Sequence, residues 1–173
     1  MKINAKGIAL AGIGSAISLV FVVLSHYLNA LNITFNALAA AGTLVPLAKK
    51  HYKEALLGCV AVSLIGFFIV NISVIPFVLV GGFYTVFTVF WSDKNYSYLK
   101  SLPIKFSYSV LVFFILYKLI SLISVDPSKI ALLKNINAVA LYLILNIVFS
   151  ALFLVYDRAL VYFFNYLKKR IKG

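Results

Sequence analysis

Residues 7–48 and 55–92 each run without a single Lys, Arg, Asp or Glu. Either run has room for two helices, since crossing about 30 Å of hydrocarbon takes roughly 20 helical residues. Apolar windows along the whole chain predict segments at about 8–28, 33–48, 54–73, 75–91, 104–124 and 136–157. The second is short, with Asn29 to Asn32 and Pro46 punctuating its ends, and NISVIP (71–76) predicts a tight turn between the third and fourth. The apolar runs are unbroken, unlike the alternating segments of about ten residues in a membrane barrel. The expected fold is all-α: one domain over 1–173, a polytopic six-transmembrane-helix bundle.

Composition strengthens this picture. The 173 residues are 64% hydrophobic and 12% charged, far from a soluble domain that must surround its core with charge. The N-terminal stretch has the basic start of a secretory leader, but its apolar part is of full crossing length and leads into further segments, so it is read as the first helix. Cys59, the one cysteine, lies in an apolar run and is read as a small buried side chain.

Charge then sets orientation. The formal charge of +12 reflects 16 basic residues against Glu54, Asp93, Asp126 and Asp157. The basic residues fall in short clusters between apolar runs, a pattern that argues against nucleic acid as partner. With the N-terminus inside, thirteen lie at the cytoplasmic face, including Lys49, Lys50, Lys53, Lys94, Lys105, Arg158, Lys168, Lys169 and Arg170; only Lys118, Lys129 and Lys134 fall outside. That bias predicts both ends inside, N-in/C-in, in a multi-pass protein of the cell membrane. After Asp157, the sequence RALVYFFNYLKKRIKG either prolongs the sixth helix or lies along the anionic leaflet.

Two features bear on function. In the first segment Gly7, Ala11 and Ser15 make one small-residue groove at helical spacing, and Gly12 with Ala16 makes another. Such grooves admit a second helix at close range, from a partner or from this chain itself. At the outer ends, polar side chains gather: His26, Asn29, Asn32 and Asn36 following the first segment, Asn71 and Ser73 closing the third, and Tyr142 and Asn146 in the sixth. Polar groups in lipid require partners or water, so this gathering predicts an outward-facing polar cavity. Lys118 lies about 21 Å along the fifth helix from Ile104, where it either snorkels to the surface or holds an anionic ligand group. Tyr117 with Ser121, and Tyr142 with Asn146, share helical faces that suit the same cavity. Gly81 and Gly82, followed by Tyr84, open the backbone of the fourth segment to a ligand or a helix. No nucleotide-binding loop, HExxH, G-x-S-x-G or intramembrane carboxylate pair is present, and neither enzyme activity, cofactor nor metal is expected.

The six segments, the small-residue first helix AKGIALAGIGSAIS, the short second segment and the basic inner turn LAKKHYKEALLG together resemble one family. It is that of the substrate-binding S-components of energy-coupling factor (ECF) transporters for vitamin uptake. The pairs Ala5/Ala9, Gly7/Ala11 and Gly12/Ala16 carry the Ala-x-x-x-Ala-like repeat. The resemblance implies binding of a vitamin or related small molecule from outside, and delivery through a transmembrane T-component with two ATPase subunits. It implies a ligand site at His26, Asn29, Tyr84, Lys118, Ser121, Tyr142 and Asn146, and T-component docking at Gly7, Ala11, Ser15, Gly12 and Ala16. The competing expectation is a non-transporting scaffold subunit that uses the same helix only for packing.

Overall fold

The structure is a computed structural model that describes residues 5–28, 32–94, 96–122 and 137–172. Among these every regular element is helical: α1 (Ala5–Tyr27), α2 (Asn32–Ala48), α3 (Tyr52–Val70), a 3-10 turn (Asn71–Val74), a π-helical segment (Phe77–Gly82), α4 (Phe83–Asp93), α5 (Tyr98–Leu122) and α6 (Ala138–Lys172). Four helical stretches are long and apolar enough to cross a membrane: Ala5–Tyr27, Tyr52–Val74, Tyr98–Leu119 and Val139–Arg170. Two shorter apolar ones, Thr34–Ala48 and Phe77–Asp93, lie between them.

Several boundaries depart from expectation. No open turn separates α3 from the next element, because NISV coils into the 3-10 turn, entered through Asn71 at φ 52°. Helix α5 begins before Pro103 instead of after it. A proline early in a helix leaves one carbonyl unbonded, here that of Leu99, a residue 74% exposed where other partners can reach it. Pro46 likewise sits inside α2. Helix α6 continues far past Asp157 as one helix of 35 residues, about 52 Å at 1.5 Å per residue.

The chain divides into two compact units, residues 1–95 with 159–173, and residues 96–158. In the first unit, the buried face of α1 is Gly7, Ala11, Gly14, Ser18, Val22 and Ser25, a single stripe at steps of three and four. These small residues bring α1 against α2 and α3. A Cβ on Gly14 would overlap the carbonyl oxygen of Gly42, and one on Gly42 would overlap that of Gly14. Pro46 has no N–H to offer Gly42 four residues back, and the carbonyl it leaves free lies against Gly14. Ser18 Oγ donates to the Ala39 carbonyl at 2.7 Å beside this crossing. Toward the other end of α1, Val22, Ala39, Val62, Val70, Val74 and Phe77 form the apolar core.

Helix α2 ends in a Schellman motif: Lys50 N–H donates to Leu47 O at 2.8 Å and His51 N–H to Pro46 O at 3.1 Å. Lys50 holds the left-handed position, at φ 63°.

In the second unit α5 packs on residues 138–158 of α6. Ser101, Lys105, Ser109 and Val112 make the buried stripe of α5, and Leu141, Asn146, Ser150, Phe153 and Asp157 that of α6.

Many large apolar side chains are exposed while several hydroxylated ones are buried. Phe68 is 86% exposed and Leu64 59%, whereas Ser18, Thr85, Thr88 and Ser109 are fully buried. Water would favour the reverse, but lipid tails solvate exposed Leu and Phe and leave helices to associate through small and polar contacts.

Candidate functional site

The outer residues expected from sequence are divided between the two units. In the first unit, His26 is exposed at the end of α1, with Nδ1 3.0 Å from Ser73 Oγ in the 3-10 turn. Asn36 is buried in the first turns of α2, where its amide nitrogen donates to Asn32 Oδ1 at 2.8 Å and Asn32 O at 3.1 Å. The backbone oxygen of Asn36 faces Gly81 so closely that a Cβ on that glycine would press on it. Thr43 Oγ1, which donates to Ala40 O at 2.7 Å, also lies 3.3 Å from the Gly81 carbonyl. Gly81 therefore serves the seating of the π-helical segment on α2. Tyr84, just past that segment, is 2% exposed. Asn29 lies outside the described residues.

In the second unit, Tyr117 of α5 and Tyr142 of α6 meet edge to face, ring centroids 5.1 Å apart. Phe113 joins both, at 5.9 Å from Tyr117 and 5.4 Å from Tyr142, and Phe149 closes on Phe113 at 5.4 Å. Asn146, one turn from Tyr142 on α6, is 8% exposed. Four aromatic rings from two helices thus cluster on the face that carries a buried amide. Lys118 is exposed, its ammonium 5.9 Å from the centroid of the Phe114 ring. Ser121 belongs to α5, and its side chain lies outside the description.

The two small-residue grooves differ. Gly7, Ala11 and Ser15 face α3: a Cβ on Gly7 would collide with His51 and Glu54, and Ser15 Oγ and Ala11 abut Gly58. The seam lined by Ala11, Ser15, Gly42, Gly58 and Cys59 leaves a void of about 10 Å³, the room of one water. Gly12 has nothing within 4 Å of where a Cβ would stand, and Ala16 is exposed beside it.

Two ionic clusters escape sequence reasoning. In the second unit Lys105 Nζ donates to Asp157 Oδ2 at 2.6 Å, with side chains 3% and 0% exposed. One turn along α5, Ser109 Oγ and Ser150 Oγ share a hydrogen bond at 2.9 Å. Tyr98 carries two cations on its ring, Lys105 Nζ at 5.0 Å and Arg158 Cζ at 3.4 Å from the centroid. Both charges fall at expected segment ends, where an interfacial position is the expectation; their pairing allows burial that neither alone would tolerate. The available signal was a Lys and an Asp on consecutive apolar helices, each with a serine four or seven residues away.

In the first unit Asp93 gathers three helices. It accepts from Lys168 Nζ at 2.5 Å and Tyr52 Oη at 2.7 Å, with Lys50 Nζ 3.6 Å away. The hydrogen bond from Lys168 chiefly holds its carboxyl below the ordinary value against the opposing effect of burial, helped by Tyr52 and the charges of Lys168 and Lys50. No three His, Cys, Asp or Glu side chains converge as a metal site among the described residues.

No family model, curated protein or solved structure matches this chain.

Proposed function

We propose that this chain is the membrane-embedded substrate-binding subunit of an ATP-driven, energy-coupling factor uptake transporter, capturing a vitamin or related small molecule at the outer face. In this reading it crosses the cell membrane six times with both ends inside, and hands its ligand to a transmembrane T-component coupled to two ATPases. The observation that carries the reading is the cluster of Phe113, Tyr117, Tyr142 and Phe149 on the face holding buried Asn146. Aromatic walls with a few fixed polar groups suit a small ring-bearing ligand. Lys118 of the same unit supplies a cation for an anionic group, and His26, Asn29, Tyr84 and Ser121 are the further ligand contacts that the resemblance implies.

Gly12 and Ala16 offer the docking groove for the T-component, on a face of α1 that α2 and α3 leave open. Leucine at both positions should abolish copurification with the T-component and ATPases without lowering the thermal midpoint of the isolated protein.

The direct test is mass spectrometry of small molecules that survive purification from the native cell. One ligand at unit stoichiometry is expected, retained by wild type and lost from Tyr142→Ala, Asn146→Ala and Lys118→Met. Unchanged retention in the Lys118 variant removes that residue from the site. A second reading, a scaffold subunit without ligand, draws on the packing of Gly7, Ala11 and Ser15 against α3. Purified protein that is consistently empty and carries no ATPase partner would select it.

A further inference from the structure

The last stretch of α6 has two faces of opposite character. Leu160, Phe164 and Lys168 follow one another at steps of four; Leu160 and Phe164 are 5% and 1% exposed, and Lys168 is tied to Asp93. This face is fixed to the first unit. On the opposite face, Tyr162 is 77% exposed and Tyr166 47%, and Lys169 and Arg170 are exposed beyond them. The guanidinium of Arg170 lies 5.6 Å from the centroid of the Tyr166 ring.

The order along the helix is aromatic first and basic after, with Tyr162 to Arg170 covering about 12 Å at 1.5 Å per residue. A membrane interface has the same order: amphipathic rings favour the border of hydrocarbon and headgroups, and cations favour the phosphates farther out. The surrounding charge has the same sign. Lys50 reaches the same carboxylate as Lys168, so the α2–α3 turn with its lysines belongs to this end of the unit. Lys53 and Lys94 are exposed on residues adjoining Tyr52 and Asp93. Asp93 and Glu54 are the acidic residues here, and both are engaged within the fold: Asp93 by Lys168 and Tyr52, Glu54 buried beside His51.

The geometry points to the Tyr162–Tyr166–Lys169–Arg170 face as a docking surface for anionic phospholipid headgroups, oriented by the Lys168–Asp93 clamp. The surface fits a monoanionic headgroup at the edge of the bilayer. Tyrosine rings packed on glycerol and upper acyl chains supply what a free polyanion would not use. The inference is independent of any transported ligand.

The test titrates the full-length detergent-purified protein with phosphatidylglycerol and phosphatidylcholine, scoring bound lipid by native mass spectrometry. Wild type should prefer phosphatidylglycerol, and the double variant Lys169→Gln/Arg170→Gln should weaken its binding by roughly thirtyfold, from the attraction of two cations near a charged surface. Tyr162→Ala/Tyr166→Ala should weaken both lipids. Unfolding midpoints in phosphatidylcholine micelles serve as the folding control. Equal binding of the two lipids by wild type, or an undiminished preference in the charge variant, would overturn the proposal. So would equally tight binding of the soluble glycerophosphoglycerol headgroup, which would make the surface a general anion site.

Discussion

Where Gly14 meets Gly42 the two backbones touch, and one added methyl on either has no space. Alanine at either position should destabilise the protein by about 1–3 kcal/mol, the usual range for overpacking a tight contact, while Gly12→Ala, facing open space, should change it by less than about 0.5 kcal/mol. Thermal unfolding in detergent, compared across the three variants, checks this. Lys50 raises a different local issue. It occupies the left-handed position that a Schellman motif usually gives to glycine, which costs a side-chain-bearing residue about 1–2 kcal/mol. Lys50→Gly should therefore unfold no more easily than wild type, even though its outer ion pair with Asp93 is lost. The small-residue character of α1 was legible in the sequence, but which residues meet which helix was not. Gly7, Gly12 and Gly14 are equivalent as letters, and only the three-dimensional crossing separates a contact with α3 from open space or from Gly42.

At the scale of elements, the α5–α6 pair is organised by Lys105 and Asp157 and by the aromatic contacts farther along. Removing one charge strands the other in a buried site, which costs about 3–5 kcal/mol, whereas replacing both by apolar residues of similar size is close to neutral. Asp157→Leu and Lys105→Met should each destabilise strongly and the double variant should recover most of the loss; additive effects in a double-mutant cycle would contradict the pairing. That the chain is built of apolar helices followed directly from its unbroken apolar windows, although among the described residues only four of them are long enough to cross a membrane and two are shorter. Their ends did not. Charge and proline at 103–105 suggested a helix start, yet the Lys105–Asp157 pair and the exposed first turn of α5 let the helix run through. For RALVYFFNYLKKRIKG the sequence left open whether the sixth helix is prolonged or the segment lies along the leaflet; α6 runs on to Lys172, with Phe164 buried and Lys168 bonded to Asp93. The π-helical turn at Phe77–Gly82 was signalled only by its paired glycines.

Over the described residues, the many exposed large apolar side chains and the buried hydroxyls fit hydrocarbon as solvent, in keeping with four helices long and apolar enough to cross a membrane. The Asp93 cluster lies beyond the fourth apolar segment and is open to titration. Its carboxyl is held below the ordinary value, so the folded state binds its proton more weakly than the unfolded chain, whose aspartate value is about 3.9. The stabilisation is complete above that unfolded value and is lost as pH falls through the lower folded one. A wild-type thermal midpoint that declines below about pH 4, with a shallower decline in Asp93→Asn, is the expected profile. Of the site suggested by sequence, the Tyr117–Tyr142 pairing could be anticipated from shared helical faces, whereas the addition of Phe113 and Phe149 depends on the register of two antiparallel helices.

Orientation in the membrane is the claim on which capture from outside and docking inside both depend. Single cysteines at Lys6, Ser73 and Lys169, in a Cys59→Ala background, can be probed in intact cells with a membrane-impermeant maleimide. The account predicts labelling of Ser73→Cys in intact cells and of Lys6→Cys and Lys169→Cys only after permeabilisation; labelling of Lys6→Cys and Lys169→Cys from opposite sides, or of either from outside, would contradict it.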